Sequence, residues 1–73
     1  MLSNFTLSAV VDTISHLERV RKAPSDRDRV FYLELAEMAI SRALRGVPLD
    51  HPFRGAIEKK EREMIFARAS LLS

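Results

Sequence analysis

The sequence predicts an all-α fold: a compact bundle of three main helices with a stiff, proline-containing loop between the second and third. Apolar residues recur at helical spacing along three long stretches. The three prolines fall between these stretches, where proline is tolerated. Cysteine is absent, so a single helical domain spanning residues 1–73 must depend on tight helix packing or on a partner for its stability.

The first helix is predicted over residues 6–22. Its apolar positions recur about every 3.5 residues and form one face, made of Leu7, Val10, Val11, Ile14, Leu17 and Val20. Glu18 and Lys22 stand four residues apart on the exposed side, in the favourable order for an ion pair. Pro24 ends this helix, because proline disfavours helical geometry in the residue before it.

The second helix is predicted over residues 26–45. Ser25 is a suitable N-cap, and Asp26 and Asp28 place negative charge at the positive end of the helix dipole. Gly46 is expected to end the helix as a C′ glycine.

The apolar surface of this second helix is unusually wide. It has two adjacent stripes, one of Val30, Leu33, Ala36, Ile40 and Leu44, the other of Phe31, Leu35, Met38 and Ala39. A helix packed on a single neighbour needs only about 100° of apolar face. The second helix is therefore expected to pack between two partners, either helices 1 and 3 or a helix of a second copy.

The third helix is predicted over residues 53–71, with Asp50 as an alternative start because aspartate can cap and Pro52 is tolerated in a first turn. Its apolar face consists of Phe53, Ile57, Met64, Ala67 and Leu71. The segment E-K-K-E-R-E in its middle alternates in charge, which is typical of a solvated helix face.

The sequence contains no signature of catalysis. It has no phosphate-binding glycine loop and no nucleophile motif, and its length leaves little room for a deep pocket. Asp12 and His16 stand four residues apart, a geometry that suits a metal or an oriented base, although a surface hydrogen bond is the more common use of such a pair. We expect a protein that is not an enzyme and has no cofactor, metal or small-molecule substrate.

Charge and hydropathy indicate the compartment and the kind of partner. The formal net charge is +2, from twelve basic and ten acidic residues, which suits a protein surface at least as well as nucleic acid. No stretch is apolar enough to span a membrane, and the start M-L-S-N-F-T-L-S lacks the basic leader of a signal peptide. We therefore expect a soluble, intracellular protein without membrane contact.

Two basic clusters are candidate partner-binding sites. The first surrounds the segment R-G-V-P-L-D-H-P-F-R-G, where arginines border apolar residues as in the hot spots of protein interfaces; it consists of Arg42, Arg45, Val47, Leu49, His51, Phe53 and Arg54. The alternative is that Val47, Leu49 and Phe53 simply plug the end of the helical core. The second cluster, Arg19, Arg21 and Lys22, also complements the negative end of the first helix dipole.

An arginine-rich, cysteine-free helical miniprotein without a catalytic motif is similar to the small phage-encoded regulators of host RNA polymerase. It resembles in particular the transcription inhibitors and antiterminators of Xanthomonas lytic phages. The resemblance covers the whole chain as a general likeness rather than through a short motif, so it assigns no contact residues. It implies a protein in the bacterial cytoplasm that binds host RNA polymerase near the RNA exit path, blocks promoter use and promotes read-through of terminators. Contact with the nascent RNA is a further implication.

Two alternatives remain open at this stage. The wide apolar surface of the second helix fits a dimeric anti-activator that sequesters a host transcription factor. Helices 2 and 3 also flank a loop, as in a helix-turn-helix DNA-binding protein. However, the usual connecting turn of that motif has about three or four residues, and the evenly mixed charge of the third helix is unusual for a recognition helix.

Overall fold

The computed structural model describes residues 2–72, with only the backbone at residue 72. It contains three α-helices and, within that range, no strand: α1 (Asn4–Lys22), α2 (Asp26–Gly46) and α3 (Arg54–Leu72). The predicted all-α, three-helix fold is therefore confirmed.

Helix α2 lies between the other two helices and runs antiparallel to both. Thr6, near the start of α1, lies against Gly46 at the end of α2, and Arg68, near the end of α3, bonds to Glu37 in the middle of α2. Helices α1 and α3 scarcely touch each other. This arrangement confirms that helix 2 packs between helices 1 and 3.

Helix α1 begins two residues before the predicted start because a serine upstream caps it. The hydroxyl of Ser3 accepts a hydrogen bond from the backbone N–H of Thr6 at 3.1 Å, which satisfies one of the amides that lack a partner within the helix. The added turn brings Asn4 and Phe5 into α1. Phe5 consequently has a defined position on the helix surface, with a side chain that is largely exposed.

Gly46 does not end α2 in the predicted way. It lies inside the helix with an ordinary negative φ, and the backbone N–H of Val47, the C-cap residue, bonds to the carbonyl of Ala43 at 3.0 Å. The glycine is needed for packing: a Cβ at this position would lie 2.0 Å from Oγ1 of Thr6. The prediction that Gly46 is a C′ glycine is wrong. A glycine is needed here because α1 packs closely against this position, and not because the chain turns there.

The interface between α1 and α2 is built mainly from small side chains. Its buried residues are Thr6, Ala9, Thr13 and Val20 of α1 and Leu33, Ala36, Ala39, Ile40 and Ala43 of α2. The hydroxyl of Thr13 donates to the carbonyl of Ala9 at 2.8 Å, so this polar group is buried with its hydrogen bond made. Small residues allow the two backbones to approach closely, and Ile57 and Met64 of α3 complete the core from the other side.

Replacement of Gly46 by alanine should destabilise the protein by about 2 kcal/mol, because the new methyl group has no room beside Thr6 and forces the two helices apart. Gly55→Ala is the matched control, since nothing lies within 4 Å of a Cβ at that position. It should leave stability unchanged or raise it by about 0.5 kcal/mol. Thermal unfolding followed by circular dichroism measures both changes, and equal stability of the two variants would contradict the close contact.

Candidate partner-binding surfaces

The loop between α2 and α3 is held by a set of local hydrogen bonds. The N–H of His51 donates to the carbonyl of Pro48 at 3.0 Å, and the N–H of Arg54 donates to the carbonyl of His51 at 2.9 Å. The imidazole Nδ1 of His51 accepts from the N–H of Phe53 at 3.0 Å. Two successive turns between two prolines therefore define the course of this loop.

The apolar residues predicted around this loop have two different environments. Val47 is only 2% exposed and belongs to the core, as the alternative interpretation held. Leu49 and Phe53 are 80% and 56% exposed, and the ring of Phe53 lies 5.5 Å from that of His51. Val47 therefore plugs the end of the bundle, and its predicted role as a contact residue is wrong because the side chain is buried. Leu49, His51 and Phe53 are accessible to a partner.

Arg54 has an internal role rather than the predicted role of a free contact residue. Its Nη1 donates to the carbonyls of Leu44 and Val47, both at 2.8 Å, and its Nε lies 3.3 Å from Oε2 of Glu58. The side chain is only 17% exposed. Because the last carbonyls of a helix have no partner within it, Arg54 caps α2 from the first turn of α3. Its guanidinium is thus fixed inside the protein.

Arg42 and Arg45 lie together at the same end of the bundle, as predicted. They border an open basin with Phe5, Thr6 and Gly46, formed where the start of α1 meets the end of α2. Within the described residues neither arginine pairs with a carboxylate. The side chain of Arg45 instead donates to the carbonyl of Ser41 on its own helix, at 3.3 Å.

Phe5 is a candidate contact residue that the sequence did not reveal. Its side chain is 69% exposed and borders the basin of the two arginines. The predicted helix began at residue 6, so Phe5 was assigned to no helix face. The capping hydroxyl of Ser3 is the sequence signal that identifies the true start.

The second basic cluster lies at the other end of α1 and does not join the first. Arg21 and Lys22 are exposed, and both pair with Glu18, at 3.7 and 3.4 Å. The guanidinium of Arg19 lies over the ring of Tyr32, 5.8 Å from its centroid. The three residues complement the helix dipole, and surface pairs of this kind contribute little to stability.

A bidentate ion pair joins the middle of α2 to the last turns of α3. Arg68 donates to both carboxylate oxygens of Glu37, at 2.8 and 2.6 Å. The hydrogen bonds to Glu37 and its negative charge raise the pKa of Arg68 above its ordinary value, with a smaller contribution from Glu34. Arginine is charged throughout the neutral range in any case, so this pair fixes the register of α3 without acting as a pH switch.

A shallow apolar groove lies where α1 and α3 diverge. Its lining consists of Val10, Thr13 and Ile14 of α1, Ile40 and Ala43 of α2, and Ala56, Ile57 and Lys60 of α3. The cavity measures about 90 Å³, whereas sites for small molecules usually need about 300 Å³ or more. The groove therefore does not have the size of a substrate pocket.

The histidine, aspartate and glutamate side chains of the described residues do not assemble into a metal-ligand cluster. No group of three or more potential ligands comes together between residues 2 and 72. Nδ1 of His16 is buried without a hydrogen-bond partner. The structure therefore does not show the surface hydrogen bond between His16 and Asp12 that their spacing suggested.

Comparison of the chain with known protein families, characterised proteins and solved structures found no match. Along the described residues, no helix combines the length and apolar character needed to cross a membrane.

Replacement of Arg54 by alanine should lower stability by about 2 kcal/mol, because two helix-end carbonyls lose their charged donor. The melting temperature should fall by about 10 °C. Arg62→Ala, at an exposed position of α3 without an ion pair, is the control and should change little. Chemical denaturation of both variants measures the difference, and an unchanged midpoint for Arg54→Ala would show that the cap is dispensable.

Proposed function

We propose that this protein is a small, non-enzymatic regulator that binds bacterial RNA polymerase, inhibits transcription initiation and promotes read-through of terminators. The observation that supports a binding function is the composition of one end of the bundle. Phe5, Leu49 and Phe53 expose large apolar side chains there, and Phe5 borders Arg42 and Arg45, which form no ion pair within the described residues. Aromatic and arginine side chains are the residues that most often dominate binding energy at protein interfaces.

The identity of the partner comes from the resemblance to phage regulators of host RNA polymerase. The physical properties of the chain support it in two ways. A net charge of +2 is too small to hold the protein on nucleic acid in general. Local arginines can still contact an acidic protein surface and phosphates of emerging RNA. In this proposal the protein acts in the cytoplasm of the bacterial host.

The mechanism is steric and allosteric, with no chemical step. A specific interface buries about 800 Å² of each partner, and the whole protein exposes 5208 Å². An interface of that size would cover roughly 15% of the exposed surface. A loop whose turns are already hydrogen-bonded loses little entropy on binding, which favours recognition by Leu49 and Phe53.

A second candidate function is that of a dimeric anti-activator that sequesters a host transcription factor. It is favoured by the outward face of α2, where Phe31 and Met38 are 56% and 58% exposed and are covered by neither α1 nor α3. A helix-turn-helix function receives less support, because the segment between α2 and α3 spans residues 47–53 and is longer than the usual turn.

Affinity capture from nuclease-treated bacterial lysate should recover the polymerase subunits in near-stoichiometric amounts. The double variant Leu49→Ala and Phe53→Ala should bind about 30-fold more weakly, as expected for loss of a hot spot of about 2 kcal/mol. The double variant Ile65→Ala and Phe66→Ala removes equally exposed apolar groups from α3 and should bind as the wild type does. Recovery of a different protein would contradict the polymerase proposal, and equal affinity of the two variants would contradict the site.

Transcription in vitro tests the two regulatory effects directly. Addition of the protein should reduce promoter-dependent initiation and increase the fraction of transcripts that pass a terminator. The variant Arg42→Ala, Arg45→Ala should lose both effects while keeping its helical content, because neither side chain pairs with a carboxylate in the fold. Full activity of this variant would show that the basin is not the contact surface.

A further inference from the structure

The outward face of α2 carries a regular stripe that the fold leaves without a partner. Its residues alternate at spacings of three and four, and we call them the α2 seam: Asp28, Phe31, Leu35, Met38, Arg42 and Arg45. At about 100° per residue, most of this stripe lies on the side of α2 opposite the buried Ile40. The 3–4 alternation is the pattern by which one helix packs along another.

The rest of the fold covers the seam only in part. Phe31, Met38 and Arg45 are exposed, whereas Asp28, Leu35 and Arg42 are half-buried. The carboxylate of Asp28 and the guanidinium of Arg42 form no ion pair within the described residues. The side chain of Arg45 bonds only to its own helix.

When the seam is aligned with a second copy of itself that runs in the opposite direction, complementary residues face each other. From a centre between Leu35 and Met38, four residues outward in each direction lead to Phe31 and Arg42, and three more lead to Asp28 and Arg45. An identical helix laid antiparallel about that centre therefore places Leu35 opposite Met38. It also places the Phe31 ring opposite an Arg42 guanidinium, and Asp28 opposite Arg45.

We propose that a second copy of this chain docks antiparallel along the α2 seam and forms a two-fold symmetric dimer. Every contact then occurs twice, as a self-complementary interface requires. The apolar layers lie in the middle, the cation–π contacts flank them, and the ion pairs close the two ends. A parallel dimer is disfavoured, because it would place Arg42 and Arg45 beside their own copies.

Helix α1 fits the same symmetry. Thr6 lies beside Gly46 and Arg19 beside Tyr32, so the centre of the seam is level with residues 14–15 of α1. The two-fold axis that reverses α2 places α1 next to α1 of the second copy, also antiparallel.

This inference does not depend on the proposed function, because it concerns the purified chain alone. The dimer would cover Arg42 and Arg45 but leave Leu49 and Phe53 at the loop free. Self-association and the binding of a partner that uses the two arginines would therefore exclude each other.

Sedimentation over a range of protein concentrations tests the dimer. The wild-type chain should pass from monomer to dimer, and Met38→Glu should weaken the association at least about tenfold by placing a carboxylate in the apolar centre. Phe66→Glu is the control at an exposed position of α3 and should associate as the wild type does. Circular dichroism verifies that both variants fold. A monomer at all concentrations up to about 1 mM, or a dimer that Met38→Glu does not affect, would overturn the proposal.

Charge reversal tests the antiparallel pairing. Asp28→Arg and Arg45→Asp should each associate poorly, since each homodimer then contains two like-charged pairs. An equimolar mixture of the two variants should recover the affinity, because every such contact in the mixed dimer again joins an arginine to an aspartate. If the mixture associates no better than the separate variants, the antiparallel pairing is wrong.

Discussion

The close approach of α1 and α2, centred on the contact between Thr6 and Gly46, is the constraint on which the other features of this fold depend. A glycine in α2 lets the backbone of one helix come within reach of a threonine side chain on the other. Ala39 lies two turns before Gly46 on the same face of α2, and it is fully buried. Small residues along one line thus bring two helices together over their whole length, with α3 added on the other side.

This way of packing explains why so many large apolar side chains are exposed. The interface between α1 and α2, built largely from alanine and threonine, has little room for larger groups, and the protein is thin, with Cα extents of 38 × 20 × 15 Å. Leu33 is the only large side chain described as fully buried. The large apolar side chains that are exposed lie on the outer face of α2, on α1, on α3 and at the loop end.

The same packing brings together the groups that support the proposed function. Because α1 is antiparallel to α2, Phe5 at the start of one helix meets Arg42 and Arg45 near the end of the other. At the same end, Arg54 satisfies the carbonyls of α2 and so orders the loop. Leu49 and Phe53 are held outward as a result. Recognition would thus be concentrated at the end of the bundle where the backbone is best supported.

The sequence by itself determined the three helices, because apolar periodicity, the cap at Ser25 and the proline breaks act over only a few residues. It left open whether Leu49 and Phe53 contact a partner or plug the core, and their exposure was decided by the fold. Only the tertiary structure decided the roles of Gly46, Val47 and Arg54. Each role depends on a distance between segments that local patterns do not encode, such as the contact of Gly46 with Thr6 or the bond from Arg54 to the end of α2. Local interactions therefore fixed the elements of this protein, and helix packing decided which side chains remained free to bind.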